Sequence, residues 1–186
     1  NGLRLVAAPN NSLDPEIFSE DFWRVTFWKF REQNKFVVFD TPHDFSASTL
    51  QVLDSAGLIL LMITPEMAAL RAAVCALDIY NKLGYPADKI RLTLNNVTNL
   101  PGIKPAQIEK VLKRPIDIQL PNDSAEAYRA LNFGEPFVLK NPESSLSARV
   151  EDLAYELSQE NQKAATPDVP SPTWKRVQAR LTGKRS

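Results

Sequence analysis

Residues 36–73 read FVVFDTPHDFSASTLQVLDSAGLILLMITPEMAALRAA. Two continuous apolar runs, Phe36-Val37-Val38-Phe39 and Leu58 to Ile63, frame the first part of this stretch. Runs of this length without polar alternation are strands of the kind buried on both faces of a parallel sheet. The polar-apolar segment between them suits a helix at about 46–55. After the second run comes a longer helical pattern over 65–83, with Thr64 placed as N-cap, Pro65 at the first helical position and Glu66 complementing the positive end of the dipole. Met67, Leu70, Val74, Leu77 and Leu83 recur at helical spacing along it. Gly84 then stands where a left-handed C-terminal cap is wanted, and Pro86 stops the helix.

The same alternation continues outward. Leu3 to Ala8 (LRLVAA) reads as a strand and 15–32 as a helix with Ile17, Phe18, Phe22, Val25 and Phe30 on its apolar positions. Downstream follow a strand at 90–95, a helix at 105–113, a strand at 116–120, and helices near 123–131 and 144–159. Five strands joined by helical crossovers predict an α/β fold with a doubly wound, mostly parallel sheet. In such sheets ligands bind at the carboxyl ends of the strands, so the residues directly after each strand are the ones to read for chemistry.

Composition narrows the function classes. Of 186 residues, 44% are apolar and 24% charged, and the formal net charge is zero. No global field therefore recruits nucleic acid, and no specific nucleic-acid binding is expected. Five of the 22 basic side chains (Lys175, Arg176, Arg180, Lys184, Arg185) lie in 173–186, which hold no acid; the other 17 face 22 acidic ones, a net of −5. One cysteine, Cys75, and one histidine, His43, make neither a disulfide framework nor an all-protein zinc site, which points to a reducing, cytoplasmic compartment. The longest apolar run, Gly57 to Thr64, falls well short of the ~18 residues a membrane span needs. A single Cys and a single His on different elements are also a poor nucleophilic pair.

The first of the two apolar runs ends Phe39-Asp40-Thr41-Pro42. A carboxylate directly after a buried strand is the arrangement that supports Mg²⁺ beside nucleotide phosphates, and the proline after it opens a loop able to change shape. The alternative for Asp40 is a side chain capping the next turn. Beyond this point the chain resembles a known family. Asp40-Thr41-Pro42, Thr64-Pro65-Glu66 with Arg71, Leu83-Gly84-Tyr85-Pro86, Ile90 to Asn96, Leu120 to Asp123 and Asn132 to Pro136 stand in the order and spacing of the MinD/ParA ATPases. The resemblance covers about residues 3–158 and looks strongest to the pilus-assembly branch known as CpaE or TadZ.

That resemblance implies roles residue by residue. Asp40 matches the position that supports Mg²⁺, and Thr41 and Pro42 open the switch loop, making these three the implied catalytic set. Asn95 matches the asparagine that ends its strand and hydrogen-bonds the adenine edge; an amide donates and accepts side by side, as that edge requires. Its alternative is to satisfy a strand-end backbone group. Pro121, Asn122 and Asp123 match the loop that closes over the base. The chain departs from the family pattern at His43-Asp44, Gly57 and Asn96, which bear on hydrolysis more than on fold. His43 is either a phosphate contact or an exposed loop residue.

The family's phosphate loop ends Gly-Lys-Thr or Gly-Lys-Ser, its amides and lysine neutralising the phosphates. Glycines stand here at 2, 57, 84, 102, 134 and 183, and only Gly183 precedes a lysine, with Arg185 following. The expectation is a domain incomplete at its N-terminal side: ATP and Mg²⁺ are cofactors of the intact protein and none is expected for these 186 residues alone. The boundaries expected are 1–159 for the later portion of the ATPase domain, 160–172 for a polar linker and 173–186 for a basic amphipathic tail. Trp174, Val177 and Leu181 fall on one helical face of the tail, which suits weak contact with anionic membrane, the alternative being a solvated extension. The resemblance implies an ATP-dependent homodimer that positions or assembles pilus or secretion machinery, cytoplasmic with a peripheral place at the inner membrane face. The alternative is a non-catalytic scaffold of the same fold.

Overall fold

A computed structural model describes residues 3–7, 20–99, 101–158, 163 and 166–183. The chain divides into two compact units, residues 1–59 and 60–186.

In the first unit, α1 (Glu20–Gln33) packs on α2 (Ala47–Ser55). Phe27 is the buried centre, with the Trp23 ring stacked on it at 5.5 Å and Phe39 edge-on at 4.7 Å between centroids. Arg31 ties the helices by donating from Nη1 to the Ser55 carbonyl at 3.2 Å. Residues 36–40 are not the ladder strand that their apolar character predicts. Phe36, Val38 and Asp40 are exposed and Val37 and Phe39 half-buried, so the segment is strand-like in alternation, with one face turned toward α1. Val38 is 93% exposed, and among the described residues no backbone hydrogen bond reaches 36–40. Apolar residues favour an extended backbone, but a ladder needs a partner on at least one edge, and none pairs here. Residues 3–7 of the predicted first strand likewise form no strand, and Leu3, Leu5 and Val6 are exposed; Ala8 and residues 15–19 of the first predicted helix lie outside the described residues.

The second unit holds a three-stranded sheet in the order β1-β2-β3: β1 (Ile59–Ile63, beginning at the unit boundary), β2 (Ile90–Asn95) and β3 (Ile118–Leu120). β2 and β3 are parallel, in the register Thr93↔Ile118, Leu94↔Gln119, Asn95↔Leu120. β2 is the central strand and is buried on both faces, Ile90, Leu92 and Leu94 on one and Thr93 on the other. β1 is covered on one face only: Ile59 and Ile63 are buried while Leu60 and Met62 are exposed.

α3 (Met67–Lys82) carries the chain from β1 back to β2. Its buried stripe is Leu70, Ala73, Ala76, Leu77 and Tyr80, whereas Met67, Val74 and Leu83 are exposed. The buried stripe thus includes Ala73 and Ala76 in place of larger side chains of the predicted one. The helix starts later than predicted: Glu66 is the N-cap, without a side-chain cap bond, and Pro65 lies buried in the turn before it. Gly84 ends the helix in the left-handed conformation, φ 76°, as the sequence predicts. After β2 come α4 (Pro105–Leu112) and, after β3, α5 (Ser124–Phe133), α6 (Phe137–Lys140) and α7 (Ser145–Glu156). Lys113, after α4, also adopts the left-handed conformation, φ 53°. Asp117 starts the β3 side of the ladder, accepting the Leu92 N–H at its carboxylate and donating its own N–H to the Leu92 carbonyl.

The basic tail is a helix, α8 (Pro172–Gly183), packed on α7. Its Val177 is 2% exposed. Arg176 donates from Nε and Nη2 to both carboxylate oxygens of Glu151, and Arg180 donates from Nη2 to Glu151 at 2.9 Å and from Nε to Asp152 at 2.8 Å. Residues 184–186 lie outside the described residues, as do 159, the last residue of the predicted ATPase portion, and 160–162, 164 and 165 of the predicted linker.

Candidate functional site

The parallel register places the ends of β2 and β3 at one edge of the sheet, because Asn95 stands opposite Leu120. Asn95 is therefore next to the turn that begins at Pro121. Asn95, Pro121, Asn122 and Asp123 are all half-buried, accessible from solvent yet held by the sheet. Strand ends of a parallel sheet gather loops in this way, and it is where α/β folds bind ligands.

Each neighbour of Asn95 has a structural duty. Asn96 donates both its backbone N–H (3.2 Å) and its side-chain amide Nδ2 (2.9 Å) to the Leu120 carbonyl. The strand-end backbone group that the sequence left to Asn95 is thus satisfied by Asn96. Asn122 accepts the Ser124 N–H at 3.1 Å, turning the chain into α5, and Asp123 is the N-cap of that helix without a side-chain cap bond. A cap position whose carboxylate is not tied to its own helix is a place where a donor from elsewhere can be received.

The end of β1 closes the same side of the unit. The Pro65 carbonyl accepts the Ile103 N–H at 3.0 Å, so the loop after β2 folds onto the Thr64-Pro65-Glu66 turn. Gly102 makes that approach feasible, since a Cβ there would stand 2.7 Å from the Pro65 carbonyl oxygen. Sequence reading passes over Gly102; its signal, a glycine in a loop directly after a strand-end asparagine, is visible only once the contact is known.

Asp40, Thr41 and Pro42 belong to residues 1–59. Asp40 and Pro42 are exposed and Thr41 is half-buried, and His43 is an exposed loop residue. The capping duty that could have fallen to Asp40 is met by Asp44, whose carboxylate accepts the Ser46 N–H (3.1 Å), the Ser46 hydroxyl (2.8 Å) and the Thr49 hydroxyl (2.8 Å) at the start of α2. The Ser46 N–H chiefly, with the Thr49 and Ser46 hydroxyls, holds the Asp44 carboxyl below its ordinary range. Ser46 completes the cap by accepting the Thr49 N–H.

The two groups of residues lie in different units, and each has its own chemistry. A half-buried asparagine beside a half-buried strand-end turn suits a base edge. Asp40, at the end of an extended segment, suits a cation held through water and phosphate oxygens. Among the described residues no group of three or more His, Cys, Asp or Glu side chains could hold a metal by itself, and no helix is long and apolar enough to cross a membrane.

No family model matches the chain. It is 27% identical over 124 residues to the uncharacterised ATP-binding protein MJ0547 of Methanocaldococcus jannaschii, an alignment spanning 65% of this chain and 45% of that protein. The fold matches a ParA-family ATPase from Chlorobium tepidum TLS with a TM-score of 0.55 and 27% identity, over 61% of this chain and 46% of the other. It also matches the MinD cell division protein of Aquifex aeolicus with a TM-score of 0.62 and 18% identity, over 79% of this chain and 62% of the other. The same TM-score, at 16% identity, relates it to MinD in a MinC:MinD complex from Aquifex aeolicus. The chain thus spans about half the length of the relatives it matches by sequence. The α/β fold with a parallel sheet is that of the ParA and MinD ATPases, and the likeness supports the MinD/ParA reading of the motifs.

Proposed function

We propose that these 186 residues are the later part of a MinD/ParA-like ATPase domain, in which residues of 60–186 contact the base and Asp40 of the other unit supports the metal ion. Asn95 reads the adenine edge, Pro121, Asn122 and Asp123 cover the base, and Asp40 supports Mg²⁺ while Thr41 and Pro42 open the switch loop. The observation that supports this reading is the register Asn95↔Leu120, which brings the end of β2 beside the residue that precedes the Pro121–Asp123 turn. Bound Mg²⁺ would supply charge neutralisation at the phosphates; this chain's own residues orient the base and hold the ion's water shell. The phosphate cradle is not among these residues, so the reading assigns it to another part of the intact protein.

In the intact protein the activity follows the CpaE/TadZ branch: ATP-dependent dimerisation that positions pilus or secretion machinery on the cytoplasmic side. The MinC:MinD complex supports the general idea of a protein partner for this fold. The test is equilibrium binding of ATP and GTP to the intact protein with and without Mg²⁺, for wild type, Asn95→Ala and Asp40→Ala. Asn95→Ala should lose the preference for adenine, and Asp40→Ala the dependence on Mg²⁺. Unchanged behaviour in both variants would overturn the assignment.

The non-catalytic scaffold draws on a different observation. In the loop after Pro42, the Asp44 carboxylate is committed to three hydrogen bonds at the start of α2. A loop fixed in this way is less able to rearrange with a γ-phosphate. Phosphate release at the rate of buffer alone, from an intact protein that binds ATP, would favour this reading.

A further inference from the structure

α8 is a basic helix seated on an acidic face of α7, and the seat has the features of a binding slot. Arg176 and Arg180 are one helical turn apart and so share a face. Both reach the buried Glu151, and Arg180 also reaches Asp152 and, from Nη2, the Ala148 carbonyl at 3.3 Å. Val177 fills the space beside them. Two planar guanidiniums on one carboxylate fix the helix in rotation and in register, a specificity that an apolar seam of one valine could not give.

The hold combines the ion pairs with Val177, one of the fully buried side chains. A buried ion pair gains little net stability over its desolvation cost, so the Glu151 cluster selects a geometry more than it secures one. Among the described residues the buried Trp174 indole N–H meets no acceptor, which penalises the docked state further. The connection to α7 runs through a polar segment bearing Pro167 and Pro170. α8 is held by its ion pairs to Glu151 and Asp152 and by the buried Val177.

We propose that the face of α7 bearing Ala148, Glu151 and Asp152 is a docking slot for a basic helix that presents two arginines four residues apart beside an aliphatic residue. α8 is its occupant within the chain, and the occupant it exchanges with is the α8 of a second copy. Occupancy in cis therefore suppresses docking in trans, and freeing the helix converts the slot into an interface between copies.

The experiment uses the full chain and a fluorescent peptide of residues 166–186 as probe. Three proteins are titrated by anisotropy: wild type, Arg176→Ala/Arg180→Ala, and the same double variant with Glu151→Gln. The double variant, its slot vacated, should bind the peptide at least about tenfold more tightly than wild type, and the triple variant should lose that gain. The proposal is overturned if the double variant keeps its melting transition yet does not bind, or if all three bind alike. It is overturned equally if the double variant loses cooperative melting, because α8 would then be an integral part of the fold and no exchangeable ligand.

Discussion

Gly102 lies against Pro65 so closely that any side chain at 102 would meet the Pro65 carbonyl oxygen at 2.7 Å and its Cβ at 3.0 Å. Backbone oxygen cannot step aside as a flexible side chain can. Gly102→Ala should therefore push the loop away from the turn, breaking the Ile103 to Pro65 hydrogen bond. Overpacking of this kind costs about 1–3 kcal/mol. Urea denaturation checks it, with Gly57→Ala as the comparison, since nothing lies within 4 Å of a Cβ at Gly57.

Asn95 and Asn96 should separate function from stability. Asn96→Ala removes the 2.9 Å amide bond to the Leu120 carbonyl and should lower stability by about 1 kcal/mol. Asn95→Ala should leave the melt nearly unchanged and, in the intact protein, reduce the adenine-over-guanine preference by roughly 1–3 kcal/mol. The check is thermal melting of both variants beside nucleotide competition. An inverted pattern, with Asn95→Ala destabilising and Asn96→Ala altering base choice, would refute the roles.

Acid should undo the α8 clamp. Burial pushes the Glu151 carboxyl up, but hydrogen bonds from Arg176 and Arg180 outweigh it and hold the group below its ordinary 4.5. A depressed pKa means that the undocked chain binds the proton more readily than the docked one. The clamp's contribution is thus complete above about pH 4.5 and is lost as pH falls through the lower docked value. With Trp23 and Trp28 replaced by Phe, quenching of Trp174 by acrylamide should rise over that acid range. Glu151→Gln should abolish the pH step.

Lys113 is a side chain in a conformation that suits glycine, φ 53° at the end of α4. The left-handed region costs an L-residue about 1 kcal/mol. Lys113→Gly should therefore raise the stability of the fold, offset in part by the greater freedom of glycine in the unfolded chain. A higher urea midpoint with an unchanged slope is the expected result.

β2 was legible because its alternate residues Ile90, Leu92 and Leu94 are apolar and a covered strand has no use for anything else there. The C-terminal end of α3 was legible for a similar reason, since Gly84 does a local job that its chemistry announces. Phe36–Phe39 misled because its apolar character specifies an extended backbone but not a partner. The α3 stripe was misplaced since large residues outweigh alanines in a periodicity, whereas Ala73 and Ala76 are among the residues that are buried. Of the candidate site, the strand-end residues were readable, but the division of labour between Asn95 and Asn96 depends on which amide meets Leu120. The Glu151 cluster joins residues 25 and 29 positions apart and leaves no local pattern to read.

The open segment at 36–40 has a consequence in solvent. Amides that no carbonyl holds exchange with deuterium as fast as those of a short peptide, while amides of a central strand wait for the whole unit to unfold. The chain should therefore run on two clocks. Val37 to Asp40 should take up deuterium at the earliest time points, and Leu92 to Asn95 at the latest. Any molecule that lays a strand along Val38 would slow the first clock and leave the second unchanged, so exchange at these four residues is a direct reporter of what this protein pairs with.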